Sequence, residues 1–376
     1  MATIIIGADV CPIGGNLACF KAGDAQNLFN DLLGEFHQSD LSIANLECPF
    51  IENPSPILKT GPTFGAGSDC INSIKNARID VLGLANNHIM DHGAAGLSNT
   101  MRVCAEAGIA TVGAGRTLAE ARQILVRHVG PIRIGILAMA EREFSIASNG
   151  SPGANPCDLV DFVRNVNTHR YAFDYLIVLL HGSAEFHVPT PRIKDTCRFM
   201  IEMGANAVIV QHPHCLGGYE EYRGGHIVYG QGALIMDEAI YRDVTTFHEG
   251  FLVKLNLAQD LSSTMEIVPF TQSMPAPGAR RMPPDQEQKF RQRLEERSRD
   301  IMDPRFVEAE WRTFCQKRRH GYLSSILGHG RILRRFNVGG LMEKLYGRRL
   351  LGVRNLVCCE THREALETIF NEIRNS

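Results

Sequence analysis

The feature that most constrains the fold of this 376-residue chain is a repeated ending: short apolar runs that stop at residues of metal-ligand type. Runs at 3–7, 41–44, 79–85, 175–180 and 207–210 are rich in Ile, Val, Leu and Ala. They lead into Asp9, Asn45-Leu46-Glu47, Asn86-Asn87-His88, His181 and Gln211-His212-Pro213-His214. Such runs suit strands buried on both faces, although periodicity alone leaves a buried helix open for each. Helical patterns stand between them. One covers 24–37, with Leu28, Phe29, Leu32, Leu33 and Phe36 on one face. Others cover 68–76, the stretch from Gly93 to Gly108, and 191–203. Strands alternating with helices predict parallel sheets, because parallel neighbours need a long crossover. In open α/β folds ligands sit at the carboxyl ends of strands.

One histidine at a strand end is usually a hydrogen-bonded structural residue. Five chemically similar endings at the same end of alternating elements point instead to a shared site. Carboxylate, amide oxygen and imidazole together suit a divalent ion such as Mn²⁺, Fe²⁺ or Zn²⁺. There are enough ligands for two ions, which can activate water and neutralise an oxyanion. Thiolate ligation is not expected: eleven cysteines are scattered without a C-x-x-C pair, and Cys358-Cys359 read as buried or half-buried thiols.

Further elements follow from turn chemistry. Segments 124–129 and 132–138 form an expected hairpin turned at Gly130-Pro131, and Asp158 is placed to cap a helix. Segments 227–229, 250–257 and 265–268 are expected as closing antiparallel strands. The N-terminus has no basic region and enters a strand directly, and no apolar stretch reaches the roughly 18 residues of a membrane span. With the unpaired cysteines, this predicts a cytoplasmic chain with reduced thiols.

Charge divides the chain. From Arg280 onward there are 21 Lys/Arg against 13 Asp/Glu, whereas the remainder holds 18 against 28. Proline and glycine cluster between the halves, so a linker is expected at 272–284, separating a domain at 1–273 from a basic, mainly helical region at 284–376. That region carries Lys317-Arg318-Arg319 and 331–335 beside Tyr322. It also carries Trp311 and a capping-box pattern, Thr361 to Glu364, opening a last helix with Leu366, Ile369, Phe370 and Ile373 inward. Its basic face is either a solvated surface or a dock for acidic polymer or anionic lipid, the latter giving a peripheral position at a membrane. No nucleic-acid partner is expected.

The ordered set G-A-D-V, N-L-E-C-P, K-T-G-P-T-F, L-A-N-N-H-I-M-D-H-G, H-G-S-A-E-F and Q-H-P-H resembles the CapA/PgsA-type capsule biosynthesis proteins. These are similar to calcineurin-like metallophosphoesterases. The resemblance runs from about residue 3 to 237, or to 270 with the final strands. It implies an α/β fold, a two-sheet β-sandwich flanked by helices, with a binuclear site at the strand ends and here a helical C-terminal appendage. Motif by motif, it implies Asp9 and His214 on a first ion and Asn87, His181 and His212 on a second, with Glu47 bridging. His88 stands where metallophosphoesterases keep a histidine that protonates the leaving group or contacts phosphoryl oxygens, and Asp91 would orient it. Glu185, in H-x-x-x-E, is expected near the ions. Lys59 either meets an anionic substrate or is solvated. Two positions depart from the pattern: Asp9-Val10-Cys11 replaces D-x-H, and Gly232-Ala233-Leu234 replaces G-N-F.

Two functions are expected in competition. One is a metal-dependent hydrolase of phosphoesterase type tied to capsule or poly-γ-glutamate-like polymer formation. The other is a non-catalytic polymer-binding or assembly subunit with a degenerate metal site.

Overall fold

The computed structural model describes residues 2–326 and 341–375. Side-chain alternation along single strands explains its layers. In Tyr175–His181 every residue is buried. Tyr175, Ile177 and Leu179 face the core between two sheets, while Leu176, Val178 and Leu180 face a second core. Helices Leu159–His169 and Pro191–Glu202 cover that second core with Phe162, Val166, Ile193 and Met200. A period of two thus places one strand's side chains in two apolar layers, which is why these runs read as continuously hydrophobic.

The larger sheet has eight strands. Ala2–Val10, Leu41–Leu46, Val81–Gly83 and Ala110–Val112 run parallel, and Ala233–Ile235 pairs in parallel with Ala2–Val10. Glu249–Leu257, Ser263–Gln272 and Ala279–Arg281 extend it by antiparallel pairing. The six-stranded sheet is parallel through Ile132–Ala140, Tyr175–His181, Ala207–Gln211 and Gly225–Val228. Leu125–Val129 and Tyr219–Tyr222 flank it antiparallel. The fold is the expected two-sheet α/β sandwich flanked by helices, and its parallel strands bring their carboxyl ends to one side.

Local expectations differ in five places. The helix expected over 24–37 is broken into Ala25–Phe29, a 3-10 turn and Leu33–Gln38, with Asn30 at φ 46°. There Asn30 Nδ2 donates to the carbonyls of Asn27 and Ala279, so a tertiary contact interrupts the helix. Gly225–Val228 is antiparallel only to Tyr219–Tyr222, whose polar Tyr-Glu-Glu-Tyr sequence hid a strand; toward the core it is parallel. The expected capping box does not form. The last helix begins at Glu360, Thr361 Oγ1 donates to Glu141, and Glu364 accepts from Thr190 and Arg192. Phe370 is exposed rather than inward, while Leu366 and Ile369 are buried. Residues 331–335, and the side chain of Ile373, lie outside the described residues.

The fifth difference concerns the expected linker. Ala279–Arg281 pairs with Ser263–Gln272, and Gly278 N donates to Asn16 Oδ1, so the chain stays on the sheet. Helix Pro284–Asp300 then buries Phe290 and Leu294 in the main core, with the Phe290 ring 6.2 Å from that of Phe251. Ile301 and Val307 enter the second core. Trp311, Cys315, Ala365 and Ile369 build a third, where Trp311 Nε1 donates to Thr368 Oγ1 at 3.0 Å.

Candidate metal centre

Asp9 lies where the register of Ala2–Val10 shifts against both parallel neighbours, and such irregularities re-aim a side chain. Its carboxylate accepts from Asn45 Nδ2 at 2.8 Å and from the backbone N–H of His212 at 3.1 Å. That second bond ties the larger sheet to the loop after Ala207–Gln211, where His212 (φ 94°) and His214 (φ 51°) hold left-handed backbone. Ser183 and Phe186, past His181, do the same at φ 87° and 55°. Non-glycine residues are rarely held there, and such strain gathers at functional sites. Gly182 is required for a different reason: a Cβ would stand 2.5 Å from Glu141 Cγ.

Two groups share Glu47. Glu47, His181 and His212 bring ligand atoms within 4.8 Å of one another, as do Asp9, Glu47 and His214. His181 Nε2 lies 3.4 Å from Glu47 Oε1 and 3.0 Å from Asn87 Oδ1. His214 Nδ1 lies 3.5 Å from Asp9 Oδ2. Asp9, Glu47, Asn87, His181, His212 and His214 therefore meet at one place, although they come from five separated stretches. Glu47 Oε2 and the Nδ1 atoms of His181, His212 and His214 are buried without a hydrogen-bond partner among the described residues. Orphaned buried polar atoms are costly, and a divalent cation satisfies this set of oxygens and nitrogens at once.

Electrostatics point the same way. Burial, then the charge of Glu47, pushes Asp9 up to about 7. Burial pushes Glu47 to about 8, with Glu185 and Glu238 adding to it. Burial and the neighbouring His212 hold His181 down to about 3, and burial keeps His214 well below an ordinary imidazole. Burial opposes charge on His212, yet Glu185, Glu143, Glu47 and Asp9 outweigh it and raise its pKa.

A pH dependence follows. Raised carboxylate values favour the folded, protonated form; that contribution is complete below about pH 4, the ordinary carboxylate range. It is lost as pH rises through about 7 for Asp9 and about 8 for Glu47. His181, held to about 3, stays neutral through that window. A bound cation replaces the protons and offsets the loss. Thermal melts in EDTA and in saturating Mn²⁺ should therefore show a Tm gain that widens from about pH 6 to about pH 8.5; a flat or shrinking gain contradicts the assignment.

Beside this cluster, His88 Nδ1 meets Asp91 Oδ2 at 2.7 Å. Lys59 is not solvated: its side chain is 3% exposed and its Nζ lies 2.6 Å from Asp91 Oδ1. Lys59 also donates to the carbonyl of Asn87 at 3.2 Å, and Phe64 N donates to Asp91 Oδ2 at 2.7 Å. Asp91 is thus fixed from three sides and fixes the His88 ring in turn. Burial and the Lys59 charge lower the His88 pKa against the pull of Asp91, which favours the neutral imidazole at pH 7.

A cavity of about 200 Å³ is lined by Glu47, Lys59, Asn87, His88, Glu185 and His214, among others. Glu185 accepts from Tyr241 Oη at 2.8 Å. Sequence reasoning missed Glu143, which lines the same cavity and hydrogen-bonds Asn87. Its signal was available: Glu141-Arg142-Glu143 follows strand Ile132–Ala140, one more run ending in carboxylates. A second cavity of about 420 Å³ shares Glu143, Glu185 and His212, and its far wall is C-terminal: Phe314, Arg318, Tyr322, Leu356, Cys359 and His362. No sequence pattern had joined those residues to the site. At the two departures, Cys11 is buried with Sγ 3.8 Å from the Glu47 carbonyl, and Ala233 sits beside Asp9 in the sheet.

Comparison with known proteins matches this architecture to one family. "Capsule biosynthesis protein CapA" of Bacillus anthracis is 27% identical over 241 residues, covering 61% of this chain and 58% of that protein. "PGA biosynthesis protein CapA" of Bacillus subtilis is 28% identical over 216 residues, covering 56% of each. The chain thus spans little more than half the length of these relatives. A solved Staphylococcus aureus chain, described as a candidate 5'-nucleotidase in complex with alpha-ketoglutarate, aligns at a TM-score of 0.45. It shares 13% identity over 78% of this chain and 58% of its own, a likeness too slight to argue from. The profile of the bacterial capsule synthesis protein PGA_cap covers residues 3–238, which include the whole Asp9–Glu47–histidine cluster, and the chain belongs to that family.

Proposed function

We propose that this chain is a metal-dependent hydrolase of phosphoesterase type that serves capsule or poly-γ-glutamate-like polymer formation. The observation that carries the reading is the convergence of Glu47, His181, His212 and His214 with four coordinating atoms left unpartnered. In this reading Asp9 and His214 would hold one ion and Asn87, His181 and His212 a second, with Glu47 common to both sets. Ions held there supply the Lewis acidity that activates water and stabilises an oxyanion. The chain's own residues do the rest. Asp91 and Lys59 lock His88, whose neutral ring lines the cavity and would take a proton from solvent water, leaving hydroxide there, before giving that proton to the leaving group. Glu185, steadied by Tyr241, and Lys59 border the space left for substrate.

A second reading, a polymer-binding or assembly subunit without turnover, is favoured by Cys11, which occupies the place of the D-x-H histidine as a buried thiol. Both readings leave room for the basic C-terminal region to attract an acidic polymer or a membrane surface, an attraction that added salt should weaken. Among the described residues, no helix is long and apolar enough to cross a membrane.

Metal analysis of the purified chain, with turnover of bis(p-nitrophenyl) phosphate and γ-glutamyl p-nitroanilide under Mn²⁺, Zn²⁺ and Fe²⁺, tests the proposal. Bound metal with turnover of one substrate class is expected. A chain that binds no divalent metal overturns the hydrolase, and one that binds metal and polymer but turns over neither substrate is the second reading.

A further inference from the structure

The wall that the C-terminal helices add to the larger cavity carries its own set of donor atoms. Cys359 sits between helices Leu341–Cys358 and Glu360–Asn375, and His362 stands three residues on, in the first turn of the second. Glu143 meets them from the loop after Ile132–Ala140, and one ligand atom from each of the three lies within 4.8 Å of the others. His362 Nε2 is 3.7 Å from Glu143 Oε1. The other ring nitrogen, Nδ1, is engaged by Tyr322 Oη at 2.7 Å, an outer contact of the kind that orients a metal-bound histidine.

The frame around these atoms is built rather than incidental. Arg142 Nη1 binds Glu360 Oε1 at 2.5 Å, and Thr361 Oγ1 donates to Glu141 Oε2 at 2.7 Å. Arg192 joins Glu141, Thr361 and Glu364. These bonds clamp the start of the last helix onto the six-stranded sheet, with Cys359 buried at 3% exposure. Glu143, Cys359 and His362 all line the cavity of about 420 Å³ that also reaches His212 and Glu185.

We propose that Glu143, Cys359 and His362 form a distinct Zn²⁺ site whose fourth position opens to this cavity. Sulfur, imidazole nitrogen and carboxylate oxygen are the donors zinc takes, and three protein ligands with one exchangeable position are the arrangement zinc keeps where it meets water or an anionic ligand. The thiol proton leaves to solvent as the Zn²⁺–S bond forms. Two of its three ligands, Cys359 and His362, fall beyond residue 238 and so outside the stretch matched by the family profile, while Glu143 lies within it. It does not depend on hydrolysis at the Asp9–Glu47 cluster.

Cobalt substitution tests it with a readout that cluster cannot give. Metal-free full-length protein titrated with Co²⁺ should develop a near-ultraviolet thiolate-to-cobalt charge-transfer band, because a thiolate is among the ligands. Cys359→Ser should abolish the band and lower Zn²⁺ stoichiometry by one, and His362→Asn should weaken Co²⁺ binding about 10–100-fold or more. Cys11→Ser, at the other cluster, should leave the band unchanged. Near-ultraviolet circular dichroism matching the parent confirms that each variant is folded. No thiolate band in the parent, or a band undiminished in folded Cys359→Ser, overturns the site.

Discussion

Ending the chain at Pro277 is expected to prevent folding, not to release an intact domain from a basic appendage. The deletion removes the edge strand Ala279–Arg281 and the side chains of Phe290, Leu294, Ile301 and Val307, each at most 2% exposed. Burying each such side chain contributes about 1.5–3 kcal/mol, so the four together approach 6–12 kcal/mol by rough area bookkeeping. A typical domain has only about 5–15 kcal/mol of net stability. The truncated chain should also expose the apolar surfaces those side chains cover. Far-ultraviolet circular dichroism, ANS binding and thermal melts of the truncated and full chains would decide. A truncated chain that melts cooperatively near the parental Tm would mean that the C-terminal helices are only docked, with their net positive charge as their main contribution.

Glu47→Gln should strip the metal centre more completely than any single histidine change, since Glu47 is common to both ligand groups. The substitution is nearly isosteric, and the side chain it replaces is pushed to about 8 by burial, so folding should survive. Metal held by the two groups that share Glu47 should fall to near zero, leaving at most the ion of the separate Glu143–Cys359–His362 site, and turnover should fall with it. His88→Ala should behave oppositely. His88 reaches Asp91 and Lys59 but belongs to neither ligand group, so metal should stay bound. Turnover should fall by about 10²–10⁴, the usual contribution of a positioned acid or base. Metal analysis and kinetics on the two variants check the contrast. Equal metal loss in both would place His88 among the ligands and remove its assigned part in proton transfer.

What the sequence determined by itself is local. The residue types closing each strand-like run, and the turn from Asn86 to Asp91, could be read in order because strand period and side-chain chemistry are properties of a few consecutive residues. The same holds for the Gly130 hairpin and the Asp158 cap, whose side chain accepts from Val160 N and Asp161 N. What only the tertiary structure decided involves partners far apart in the chain. Asn30 interrupts a well-patterned helix to hold Ala279, 249 residues away. Thr361 leaves its cap for Glu141, 220 residues away, because that buried carboxylate, which also takes Arg192 and the Ser183 N–H, is satisfied by the hydroxyl donor. Lys59 reads from the sequence as either a substrate contact or a solvated charge, and only the fold places its ammonium on Asp91. Glu143, Cys359 and His362 become neighbours only when the last helix closes on the sheet, a contact set by packing and charge pairing across more than 200 residues, which no local pattern encodes.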